Sequence, residues 1–128
     1  MSKYLNNALF WQKLDTLYLS NKIVIDKPKG FVHPLYANLI YPVDYGYLED
    51  TLAIGDGVNV YKGSSDNGLQ HVMISADILK KDVEVKLLVD CSDKEIEKIL
   101  FFLNQTDLQK SVLISRGSEI PSWGESDN

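Results

Sequence analysis

Between Lys22 and Ser115 the apolar residues come in runs mostly too short for helices. Each run is closed by glycine, proline or a polar cluster, and that punctuation limits most of the chain to small strands. Lys22 to Asp26 is rich in β-branched residues and stops at the turn Lys27-Pro28-Lys29-Gly30. Leu39 to Leu52 carries a dense aromatic run, Tyr41, Tyr45 and Tyr47, interrupted by Pro42 and Gly46. Val58 to Tyr61 follows a tight loop containing Gly55 and Gly57, and Gln70 to Ile74 follows the turn cluster Ser64 to Leu69. Glu84 to Val89 is apolar enough for a central strand, and Val112 to Ser115 reads as the last one.

Two segments have helical spacing instead. From Asn6 to Tyr18, Phe10, Leu14, Leu17 and Tyr18 fall on one face, with Asn6 or Asn7 as the cap. Ser92-Asp93-Lys94-Glu95 is a capping box, followed by the stripe Ile96, Ile99, Leu100, Leu103 and an expected end near Asn104. Short strands with two flanking helices predict an α+β or barrel-like core and not a series of βαβ units.

The chain has 128 residues, enough for one hydrophobic core, so residues 1–128 are read as one domain. Residues 117–128 form its tail, anchored at Trp123. The formal net charge of -5 gives no basic face for nucleic acid and no attraction to an anionic membrane surface. It does not exclude an anion held locally by lysine or a metal. Cys91 is the only cysteine, so no disulfide forms within the chain, and its place after an apolar strand marks it as core. That usage predicts a reducing, cytoplasmic setting. Met1 to Trp11 lacks the basic segment and apolar run of an export signal.

Three groups of residues have the right types for chemistry. Lys27 and Lys29, with Lys22 before and His33 after, cluster around a glycine turn; a phosphate grip and a solvated surface turn both fit that spacing. Tyr41, Asp44, Tyr45 and Tyr47 put three hydroxyls and a carboxylate within seven residues, either as donors to a phosphoryl oxygen or as aromatic core with hydroxyls at the rim. Glu49, Asp50, Asp56, Asp77, Asp82 and Glu84 are acids that would hold Mg if several converged and would otherwise be solvated. His33, His71 and Cys91 are too sparse for zinc.

Tyr41-Pro-Val-Asp44-Tyr45-Gly-Tyr47-Leu48, then Thr51-Leu52 and Gly55-Asp56-Gly57-Val58-Asn59-Val60, resembles the soluble, Mg-dependent inorganic pyrophosphatases of the family I type. The likeness extends thinly upstream to Lys22–Asp26, and downstream to Asp77, Glu84–Leu87 and Phe101-Phe102. Together with Ile25-Asp26-Lys27-Pro28-Lys29-Gly30 and His33-Pro34, it looks like a small, divergent branch of that family.

The resemblance implies a five-stranded OB-like barrel of antiparallel strands with flanking amino- and carboxy-terminal helices. It implies hydrolysis of inorganic pyrophosphate to orthophosphate by a Mg-activated water, and, by analogy, a homo-oligomer. Carried over by position, Asp56, Lys22 and Tyr45 would be catalytic. Lys29, His33, Tyr41 and Lys86 would bind phosphate, and Asp56, Asn59, Asp77 and Glu84 would hold metal.

The departures point the other way. Ile54 and Asn59 stand where two loop aspartates belong, Glu84 where a third aspartate does, and Val24 where a strand glutamate does. Gln105 and Thr106 replace a helical tyrosine and lysine, and the expected arginine between Asp26 and Tyr41 is missing. Two metals held side by side need carboxylates to offset their repulsion; asparagine brings no charge and isoleucine no ligand. The alternative expectation is therefore a catalytically degenerate domain that binds a phosphorylated ligand or a protein partner.

Overall fold

The computed structural model describes residues 8–53 and 55–117. The elements run α1 (Ala8–Ser20), β1 (Ile23–Lys27), β2 (Asp44–Leu48), β3 (Asn59–Lys62), β4 (Leu69–Asp77), β5 (Asp82–Val89), α2 (Asp93–Leu103) and β6 (Gln109–Ser115). Every expected strand and both helices are present, with ends shifted by a few residues. The caps at Asn6 and Asn7 and the anchor at Trp123 lie outside the described residues.

The strands form one six-stranded sheet in the order β1-β2-β3-β5-β4-β6. β3 and β5 pair in parallel, and the other neighbours are antiparallel. This corrects the expected five-stranded antiparallel barrel. Closure requires the first and last strands of a sheet to meet. Here β6 adds outside β4 and β1 ends the other side, so the sheet is mixed and open.

Strand alternation sorts the core into two layers. On one face Tyr61, Met73 and Leu88 pack under Ile96, Ile99, Phe102 and Leu103 of α2. On the other, Val60, Val72, Leu87 and Val89 pack under α1. β5 is covered on both faces, which is why Lys86 to Val89 is continuously buried. The α1 face differs from the sequence reading by one position: Trp11, fully buried, is its centre, and Phe10 is about half exposed. Asp15, also fully buried, pairs with Arg116 just past β6.

α2 begins where expected. Ser92 Oγ accepts from the Glu95 backbone N–H, and Glu95 accepts from the Ser92 backbone N–H at 2.9 Å. The same carboxylate accepts from the backbone N–H and the hydroxyl of Ser64, tying the helix to the loop after β3. Burial raises the Glu95 pKa, but these hydrogen bonds outweigh it and hold the group below its ordinary 4.5. A depressed carboxylate contributes stability above its unfolded pKa and loses it as pH falls through the folded value. The urea midpoint should therefore drop as pH is lowered below 4.5, and drop less steeply in Glu95→Gln. Equal pH slopes for the two proteins would refute this.

At the other end of α2, Asn104 does two jobs. Its Nδ2 donates to the Leu100 carbonyl, and its Oδ1 accepts from the Ser111 backbone N–H at 2.8 Å. One side chain thus satisfies a helix-terminal carbonyl and a donor of the edge strand β6.

A lysine-floored cleft as the candidate functional site

α2 is shorter than the sheet face it lies on. Beyond its last turn the face changes character, because the cross-strand row Tyr47–Asn59–Lys86 is polar. The row before it is Tyr45–Tyr61–Leu88, so Lys86 sits diagonally from Tyr45 across β3. Its ammonium donates to Tyr45 Oη at 2.9 Å and to Glu84 Oε2 at 3.2 Å, and lies 5.1 Å from the Tyr45 ring centroid. Asn59 Nδ2 donates to the same Glu84 oxygen at 3.2 Å, and Lys80 reaches Glu84 Oε1 at 3.7 Å. Lys86 is only 5% exposed.

The segment between β1 and β2 closes over this floor. Its two arms are joined by backbone bonds from Gly30 and His33 to Tyr41 and Leu39, and by a single bridge between Val32 and Ile40. The result is a cleft of about 70 Å³. Its lining includes Lys86, Tyr45, Tyr61, Tyr41 and His33, together with Lys80, Asp77, Phe102 and Thr106. At roughly 10–15 Å³ for each water, it takes a few waters or one small oxyanion.

Burial sets the protonation of the lining. Desolvation pushes the Tyr41 phenol up to about 12 and also raises the Tyr45 and Tyr61 phenols, with Glu84 adding to each. All three remain hydrogen-bond donors at any physiological pH. Desolvation lowers the Lys86 pKa while Glu84 pulls it back. Burial, then Lys80 and Lys27, lowers the His33 pKa, so its ring is neutral at pH 7. His33 Nδ1 accepts from the Leu35 N–H at 3.1 Å, which leaves the ring proton on Nε2.

The sequence-predicted residues divide sharply. Tyr41, Tyr45, Lys86 and His33 meet in the cleft: the Tyr41 ring lies 5.6 Å from Tyr45 and 6.1 Å from His33. Asn59 and Glu84 join them through hydrogen bonds. Lys22 is exposed just before β1, beside the Glu49 end of β2, and Asp56 is exposed in the loop between β2 and β3. Lys29 is exposed in the turn after β1, where its backbone N–H donates to Asp44. Neither lysine nor Asp56 lines the cleft.

The expected Mg site does not form. Among the described residues no three His, Cys, Asp or Glu side chains converge. Asp56 stands apart, Asp77 accepts the backbone N–H groups of Leu79 and Lys80, and Glu84 is bound by two lysines and an asparagine. A carboxylate already holding two ammonium groups is a poor cation ligand. The donor set thus does not fit Mg, and the readings of a Mg-dependent hydrolase and of pyrophosphate cleavage by a metal-activated water are overturned with it.

Sequence reasoning missed Lys80, Tyr61 and Tyr36 as cleft residues. The signal for Lys80 was its spacing four residues before Glu84. Thr106, noted only as a departure from the family pattern, does line the cleft, while Gln105 faces a neighbouring groove.

What the geometry defines is an open mixed sheet carrying a helix on each face, with a donor-rich cleft where one helix stops short. No protein-family model and no curated protein matches the chain.

Proposed function

We propose that this domain binds a small phosphorylated ligand in the cleft over Lys86 and performs no metal-assisted chemistry on it. The observation that supports it most is the nearly buried Lys86 ammonium facing a cleft of phenol donors. A cation and several O–H groups that stay protonated suit a phosphoryl oxygen, whose charge they offset without proton transfer. Glu84 keeps the ammonium in place when the cleft holds only water, and Lys80 provides a second cation at the rim. The kinship to family I pyrophosphatases belongs to the same proposal and rests on the Tyr41–Leu48 motif, whose Tyr41 and Tyr45 line the cleft.

No helix among the described residues is long and apolar enough to cross a membrane. A cytoplasmic setting is part of the proposal, supported by the buried free cysteine Cys91.

The test is calorimetric titration with orthophosphate and pyrophosphate, with and without EDTA, on the wild type and Lys86→Met. Binding should survive EDTA. It should weaken at least about thirty-fold in the variant, since removing one partner of a buried charged contact costs about 2–5 kcal/mol. Asn59 and Lys80 still engage Glu84 in that variant, so its fold should persist by circular dichroism. Failure of both anions to bind the wild type would overturn the reading.

A further inference from the structure

We infer that the cleft takes a ligand with a single phosphoryl group, orthophosphate or a phosphomonoester, and disfavours pyrophosphate, with the charge of Glu84 as a discriminator. The inference rests on the cleft reading above and narrows its ligand class.

Each of the three lysines at the cleft already has a carboxylate. Glu84 holds Lys86 through Oε2 at 3.2 Å and Lys80 through Oε1 at 3.7 Å. Lys27, whose ammonium lies 5.8 Å from the Tyr45 ring centroid, pairs with Asp26 at 2.8 Å. Asp77 lines the cleft beside Lys80 and Lys86. Glu84, Asp82 and Asp77 all act electrostatically on the Lys86 ammonium. Lys27, Lys80 and Lys86 are thus surrounded by at least as many carboxylates as they have charges. The chain's only arginine, Arg116, is committed to Asp15 of α1.

An anion therefore enters a site with no surplus of positive charge. What holds it is local: an ammonium shared with Glu84, and the hydroxyls of Tyr41 and Tyr45. Those donors suffice for one phosphoryl group, which carries about 1.5–2 negative charges as a monoester at neutral pH. Pyrophosphate carries more. Each added charge meets Glu84 and Asp77 with no further cation to offset it, in a cleft where burial weakens solvent screening.

Space acts in the same direction. The cleft of about 70 Å³ holds one small oxyanion. Much of the lining other than the lysines and phenols is apolar: Leu35, Leu39, Leu79, Leu108 and Phe102. These side chains offer no donor to a second phosphoryl group, and a buried anionic oxygen without a donor is costly.

The experiment is calorimetric titration in EDTA with orthophosphate, methyl phosphate and pyrophosphate, on the wild type and Glu84→Gln. Orthophosphate should bind the wild type at least about ten-fold more tightly than pyrophosphate, the reverse of the order that Coulomb attraction gives at a cationic site. Methyl phosphate matching orthophosphate would assign the site to a monoester, and orthophosphate binding alone would assign it to the free anion; each supports a single phosphoryl group. Glutamine keeps an oxygen for Lys86 and Asn59 but removes the charge. Glu84→Gln should therefore strengthen both anions, pyrophosphate the more, and cut the preference at least about three-fold. Pyrophosphate binding the wild type as tightly as orthophosphate, or a preference that Glu84→Gln leaves unchanged, would overturn the inference and leave the cleft reading standing. Failure of all three anions to bind the wild type would overturn both.

Discussion

Asp15→Ala or Arg116→Ala should each cost about 3–5 kcal/mol of folding stability, because either leaves a buried charge without its main partner. The two side chains are each 1% exposed and meet at 2.5 Å. Arg116 also donates to the Leu69 carbonyl from Nε and Nη2, and its guanidinium lies 4.9 Å from the Trp11 ring centroid. This one side chain joins α1, the start of β4 and the end of β6. Against a total of about 5–15 kcal/mol for a domain of this kind, the loss is a large fraction. Urea unfolding at pH 7 measures it. The double variant Asp15→Asn/Arg116→Met should recover much of the loss, since it removes both charges at nearly the same volume. A loss below about 1 kcal/mol in both single variants would show that the pair is not the anchor described here.

Gly46→Ala should be the other severe change. A Cβ at Gly46 would lie 1.8 Å from the Val24 carbonyl oxygen and within 3 Å of the Ile25 Cα. Those atoms are backbone of the paired strand β1, so no side-chain rotation relieves the clash, and β1 must part from β2. Overpacking of this kind costs about 3 kcal/mol or more when backbone has to move. β2 carries Tyr45, so ligand binding should fall along with stability. Amide exchange on β1 and β2 would localise the damage, and a Gly46→Ala protein with unchanged exchange and stability would contradict the pairing.

The strands and helices were legible because their signals are local. Ser92 and Glu95 spell a helix start within four residues, and Glu84 to Val89 is apolar enough to announce a central strand. Barrel closure is not a local property. It depends on which strand β6 and β3 choose as neighbours, and neither the Val112–Ser115 run nor Val58–Tyr61 encodes that choice.

The site was half legible for the same reason. Tyr45 and Lys86 are far apart in sequence yet were both found, because the tyrosine motif and the family likeness pointed to them. The acids misled because a carboxylate in a sequence does not say what it binds. Asp77 serves its own turn, and Glu84 serves two lysines. Arg116 was overlooked, although it had a usable signal: it is the only arginine in the chain. A single forked, permanently charged donor among lysines is a candidate for a buried pair.

The parallel contact between β3 and β5 also dictates when the cleft comes into being. β4 and β5 form a hairpin from neighbouring sequence, and β1 and β2 meet across a modest loop, so both can assemble early. Tyr45 belongs to one of these units and Lys86 to the other, and β3 is the strand between them. Until β3 docks along β5, nothing holds the Tyr45 phenol and the Lys86 ammonium side by side. A chain in which β3 has not docked therefore has no cleft.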